Sequence, residues 1–116
     1  KLLVAVDHVA ISMDGGLYLV LILRSEFATF TKKANQRDAS RGVSECIVSY
    51  FAASREEVDQ LLERAIATGG SVAAPANDEA WGYAGYVADP DEHAWEIAWN
   101  PAWPISPEGY VRFAPA

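Results

Sequence analysis

Apolar and polar positions alternate with two different periods along the chain, and the change of period marks out its elements. Lys1 to Ile11 alternates imperfectly, is rich in Val, Leu and Ile, and reads as a strand. Asp14-Gly15-Gly16 follows, with the glycines that a tight hairpin turn requires, and Leu17 to Leu23 is a short bounded run with the character of a buried strand. From Glu26 to Gly42 the period is lost. Phe27 and Phe30 could anchor its start, but Lys32 to Arg41 is polar, so a long connecting loop is expected there. Ser44 to Ala53 predicts a third strand.

The clearest helix begins at Ser54-Arg55-Glu56-Glu57, a capping box in which the Ser54 hydroxyl accepts the Glu57 amide and the Glu57 carboxylate reaches back. Val58, Leu61, Leu62, Ala65 and Ile66 then recur at helical spacing, and Gly69-Gly70 ends the helix. Short strands are expected at Val72 to Pro75, Tyr83 to Ala88 and His93 to Trp99. Asn77 to Ala80 reads as a polar loop and Asp89-Pro90-Asp91-Glu92 as a turn. The order from residue 44 is therefore β-α-β-β-β. The remainder, with Pro101, Pro104, Pro107 and Pro115, reads as a tail that wraps. A shift of 77 residues lays Val9 to Ile22 over Tyr86 to Trp99, strand, Asp-containing turn and strand, with Asp14 on Asp91, Tyr18 on Trp95 and Leu19 on Glu96. The front of the chain thus reads as the end of a second such unit, without its first strand and helix.

Composition narrows the function. The 116 residues suit one domain of ordinary size, and 51% apolar with 22% charged is the balance of a globular protein. Nine Lys and Arg against 16 Asp and Glu give a net charge of −7, which repels phosphate backbones and anionic lipid, so neither nucleic acid nor membrane is an expected partner. The apolar runs fall short of a membrane span, and no stretch has the pattern of a signal peptide. A single cysteine, Cys46, excludes an internal disulfide and fits a reducing, cytoplasmic setting. The chain opens on Lys1 directly into an apolar segment, and is expected to begin inside a larger unit.

Ser54-Arg55-Glu56-Glu57-Val58-Asp59, Gly69-Gly70, Trp81-Gly82-Tyr83-Ala84-Gly85-Tyr86, Asp89-Pro90-Asp91 and Trp95-Glu96-Ile97-Ala98-Trp99-Asn100-Pro101 form an ordered set. That set resembles the glyoxalase/bleomycin-resistance branch of the vicinal oxygen chelate superfamily, which also includes extradiol dioxygenases. Asp14-Gly15-Gly16-Leu17-Tyr18 and Glu26-Phe27 are similar, more loosely, to the end of the family's first module. The resemblance implies an α+β fold of paired β-α-β-β-β modules forming a cup-shaped sheet, with the opening strand and helix of the first module missing. Residues 1–30 would be the C-terminal hairpin of that truncated module, 31–43 a linker, 44–101 a complete second module, and 102–116 a proline-rich tail. It also implies homodimers, and a cup holding either a divalent metal (Ni, Zn, Mn or Fe) with an oxygen-chelating substrate, or a drug and no metal.

Metal-dependent members take His or Glu ligands from the first and last strands of each module. Glu96 stands at the last-strand position of the second module, but the residue equivalent to it under the repeat is Leu19, which cannot ligate. Asp7-His8-Val9-Ala10-Ile11 is similar to the superfamily's opening strand, where a His ligand sits. Ser12 to Gly16 then turns straight into a strand, leaving no room for a helix, so His8 is read as a strand residue of the later hairpin. Glu45 lies at the edge of its strand. His93 reads as a surface residue, Cys46 as a small inert hydrophobe on an apolar strand, and Asp89 and Asp91 as turn residues. No metal ligand set is therefore expected, and no cofactor is secure.

Glu96 alternates with Ala94 and Ala98 on one strand face, opposite His93, Trp95, Ile97 and Trp99. Two readings stay open for it. One is a pocket carboxylate acting as general base or hydrogen-bond partner, with a raised pKa if buried; the other is a solvated strand face. Six of the 13 aromatic residues crowd into positions 81 to 103, as core, interface or pocket lining. The candidate site residues are Glu96 as the catalytic or binding carboxylate, with Trp81, Tyr83, Tyr86 and Leu19 as ligand contacts. The favoured function is a metal-independent protein binding a small apolar or aromatic molecule. The alternatives are a metal-dependent glyoxalase-type lyase or dioxygenase completed by an N-terminal segment or a partner chain, and an interaction module without a site.

Overall fold

The computed structural model describes residues 2–4, 8–12, 14–36 and 46–112. The expected strand over residues 1–11 is two: β1 (Leu2–Val4) and β2 (His8–Ser12), paired antiparallel with Leu3 opposite Ala10. A period of two is shared by one long strand and by two short ones that reverse, so the pattern alone could not separate them. β2 pairs with β3 (Tyr18–Ile22) through a single turn of 3-10 helix at Asp14–Gly16, where Gly15 and Gly16 take φ of 73° and 74°. The hairpin expected around Asp14-Gly15-Gly16 is thus present, and His8 lies in it.

The connecting loop expected over residues 26–42 instead contains a helix, α1 (Arg24–Lys33). Phe27, Phe30, Thr31 and Ala34 give it a stripe at helical spacing, and Thr31 and Ala34 are buried. Its sequence signals were weak because Leu23 at the N-cap offers no side-chain hydrogen bond. The basic residues Lys32 and Lys33, part of the polar run, sit where they complement the helix dipole. Residues 37–45, with Glu45 and most of the expected linker, lie outside the described residues.

The second unit has the expected order: β4 (Val48–Phe51), α2 (Arg55–Ala67), β5 (Ser71–Glu79), β6 (Gly82–Ala88) and β7 (Ala94–Trp99). Its sheet runs β4-β7-β6-β5, with β4 parallel to β7 and the other pairs antiparallel. Ser54 accepts the Glu57 amide at 3.1 Å, and the Glu57 carboxylate takes the Ala53 amide at 2.6 Å, so the cap forms as read. The polar loop expected at 77–80 is instead the end of β5, where Asn77, Asp78 and Glu79 pair with Ala84, Tyr83 and Gly82. β5 is an edge strand whose register slips on both sides of Ala74, which breaks the alternation and tolerates Pro75.

α2 covers one face of this sheet. Val58 (0% exposed) and Leu62 (7%) pack with Ala52, Val87 and Ile97, and Tyr83 and Trp99 border them. Full burial of a side chain such as Val58 contributes about 1.5–3 kcal/mol. Because strands alternate, Ala84, Tyr86, Glu96 and Ala98 fall on the opposite face. The C-terminal segment wraps, as expected. Ile105 bridges Val111, and the Tyr18 hydroxyl donates to the Val111 carbonyl at 2.8 Å, tying the tail to β3. Among the described residues no helix is long and apolar enough to cross a membrane.

Candidate functional site

Between β3 and β4, the two edge strands of the two sheets, lies a pocket of about 790 Å³. Residues 16–22 line one side, residues 46–51 the other, and Trp103 and Val111 of the tail contribute as well. Among the described residues the lining is mainly aliphatic and aromatic, with Arg24 and Glu96 as its charged side chains.

Glu96 is 7% exposed and is held by two hydroxyls from two different strands. The Ser49 hydroxyl donates to Oε1 at 2.9 Å, and the Tyr86 hydroxyl donates to Oε2 at 2.5 Å. Both contacts follow from register: Ser49 is the parallel partner of Glu96, and Tyr86 its antiparallel partner. Tyr86 is itself buried, and its pKa is pushed well above the usual phenol value, first by burial and then by the neighbouring Glu96 charge. The solvated-face reading of Glu96 is therefore excluded by its burial.

Of the expected ligand contacts, Leu19 and Glu96 line the pocket, and Tyr86 reaches it through Glu96. Trp81 and Tyr83 do not line it. Trp81 lies at the exposed β5–β6 turn. Tyr83 faces α2, where its hydroxyl donates to Asp59 at 2.8 Å and its ring lies 4.2 Å from the Arg55 guanidinium. Aromatic residues close in sequence were split between two faces and a turn, which clustering alone does not reveal.

Sequence reasoning missed Ser49, Tyr18 and Phe51, and left Trp103 undivided among the six aromatic residues of positions 81 to 103. Ser49 and Phe51 share a strand face, but only the parallel β4–β7 register shows that this face is that of Glu96 and Ala98. Cys46, expected as a hydrophobe within a strand, lies ahead of β4 and is exposed beside the pocket. The side chain of His8 lies outside the described residues.

Among the described residues the pocket's donor set does not fill a divalent-ion site. Transition-metal sites of N and O ligands use three or four protein ligands. Among the described residues the pocket offers one carboxylate, both oxygens of which already accept a hydroxyl, and the Cys46 thiol. Asp89, Asp91 and His93 do lie within metal-ligand spacing of one another, but on the β6–β7 turn and not in the pocket. Asp89 there accepts the amides of Asp91 (3.0 Å) and His93 (2.9 Å) on Oδ1, and Trp95 Nε1 (3.2 Å) on Oδ2. These bonds, the His93 amide foremost, hold its pKa below the usual carboxylate value. The carboxylate builds the turn, as the sequence implied, and His93 is exposed.

Comparison with known proteins agrees with this architecture. The family model describing the glyoxalase/bleomycin resistance protein/dioxygenase superfamily matches residues 6–97. A glyoxalase-related enzyme from Fulvimarina pelagi is 33% identical over 97% of this chain and 78% of its own, with a TM-score of 0.58. A glyoxalase/bleomycin resistance protein/dioxygenase family enzyme from Burkholderia phytofirmans is 15% identical, over 86% of this chain and 79% of its own, with a TM-score of 0.49. No curated protein matches. With an α+β fold of two sheets and two helices among its described residues, the chain belongs to the glyoxalase/bleomycin resistance protein/dioxygenase superfamily.

Proposed function

We propose that this chain binds a small apolar or aromatic molecule in the pocket between β3 and β4, without a complete metal site. The observation that carries the reading is the state of Glu96. Its two oxygens each hold a hydroxyl in a pocket whose lining is largely apolar, with few polar side chains, Arg24 among them, the composition of a small-molecule site. An ionised carboxylate has about four acceptor directions. Two remain for a ligand N–H or O–H, so Glu96 is the polar anchor, Leu19 an apolar contact, and Tyr86 the residue that fixes the carboxylate. The expected assembly is a homodimer, supported by the exposed Leu23 beside β3, outside the pocket lining. A cytoplasmic setting is supported by the single cysteine.

The test is titration with N-phenyl-1-naphthylamine, an apolar fluorophore carrying one N–H, alongside metal analysis of protein purified without chelators. Saturable fluorescence at one probe per chain is expected, weakened several-fold by Glu96→Gln, with metal far below one per chain after incubation with Ni, Zn, Mn and Fe. Near-stoichiometric metal would overturn the metal-free reading in favour of a lyase or dioxygenase. Absence of saturable binding would remove the pocket assignment.

A further inference from the structure

Three aromatic rings meet at one end of the pocket, and they come from three separate parts of the chain. Trp103, on the tail, stacks on Tyr18 of β3 with ring centroids 6.1 Å apart and planes 27° from parallel. It also meets Phe51 of β4 at 5.1 Å and 44°. All three line the pocket and all three are half-buried. The indole therefore joins the edge strand of one sheet to the edge strand of the other.

The tail is built to hold it there. Asn100 caps its own turn, accepting the Ala102 amide on Oδ1 at 2.9 Å and the Trp103 amide on its carbonyl at 3.0 Å. Beyond Trp103 the chain doubles back through the Ile105–Val111 bridge and the Arg112 to Pro104 bond, and Tyr18 anchors the returning arm. Tyr110 presses so closely on Gly16 that a Cβ there would lie 2.6 Å from the tyrosine Cβ. That turn is open to no larger residue while the tail is seated.

We propose that Tyr18, Trp103 and Phe51 form the recognition wall of the pocket, that this wall selects planar aromatic ligands over saturated ones of the same size, and that Trp103 sets the preference. The proposal rests on the ligand-binding reading above and narrows its substrate class. Partly exposed ring faces and edges gain stacking energy from a flat π-system that a puckered hydrocarbon cannot return. Glu96, in the same pocket, accepts a hydroxyl from either kind of molecule, more strongly from a phenol, and the Trp103 variants, which leave Glu96 in place, separate its share from that of the rings.

Two probes isolate the ring. 1-Naphthol and decahydro-1-naphthol share a carbon skeleton and one hydroxyl, and differ in aromaticity. Calorimetric titration is expected to show about five-fold tighter binding of 1-naphthol, the size of a stacking contribution. Trp103→Leu should bring the ratio of the two affinities close to one, with thermal melting showing that the variant is folded. Trp103→Phe should retain most of the preference. Equal binding of both probes to the unaltered protein overturns the aromatic wall and leaves the pocket reading standing. A preference that survives Trp103→Leu overturns the role of Trp103. Binding of neither probe overturns this proposal and the pocket reading together.

Discussion

Replacing Tyr86 by Phe removes one oxygen atom and leaves a buried carboxylate with a single hydroxyl donor. The lost bond is short, 2.5 Å, and both residues are less than a tenth exposed, so water does not readily take the hydroxyl's place. Hydrogen bonds to charged groups contribute about 1.5–3 kcal/mol, and Tyr86→Phe is expected to cost about 2 kcal/mol. The same substitution in a Glu96→Gln background should cost under about 1 kcal/mol, because a neutral amide left with one donor carries a much smaller desolvation penalty. Glu96→Gln alone should cost less than about 1 kcal/mol, since the Ser49 or Tyr86 hydroxyl can rotate to accept from the new amide. Urea unfolding of the four proteins, with unchanged m values, gives the coupling directly. A coupling near 1 kcal/mol or more is expected. If Tyr86→Phe costs the same in both backgrounds, the two side chains are neighbours by packing alone and the locked-carboxylate argument fails.

Two other outcomes follow from the same geometry. Tyr86 has a raised pKa when folded, so the stability it supplies is complete below the unfolded phenol value of 10.0 and is lost as pH rises beyond it. The stability advantage of the unaltered protein over Tyr86→Phe should therefore shrink by about 1 kcal/mol between pH 10 and 11, measured by denaturant unfolding. Ser54→Ala removes the acceptor for the Glu57 amide and should lower stability by about 1 kcal/mol, whereas Ser54→Gly, read by thermal melting, should cost only a few tenths.

The second unit was legible because its elements carry local signals. Ser54 and Glu57 announce the start of α2, Gly69 its end at a φ of 96°, and Asp89 the turn before β7. α1 was hidden because its cap is Leu23 and its stripe carries only two large apolar residues, Phe27 and Phe30, beside Thr31 and Ala34 in a polar run. The end of β5 was hidden because an edge strand with shifted register has no clean period. For the site, Glu96 could be found by its position between small residues on an alternating strand. Ser49 could not, since its relation to Glu96 exists only through a parallel pairing across 47 residues. Trp103 lies in a stretch with no period at all, and its partners are set by how the tail crosses β3.

The parallel pairing of β4 with β7 also orders the assembly of the site in time. Tyr86 and Glu96 are ten residues apart on a hairpin, a loop of the kind that closes in microseconds. The bond from Ser49 spans 47 residues, and the chain between the two strands carries α2, β5 and β6. Loop closure grows costlier with length, and non-local pairing is slow. Until β4 pairs with β7, Tyr86 is the one of the two hydroxyls that can hold the carboxylate. Arrival of Ser49 marks completion of the unit, which makes the polar centre of the pocket a reporter of whether the fold has closed.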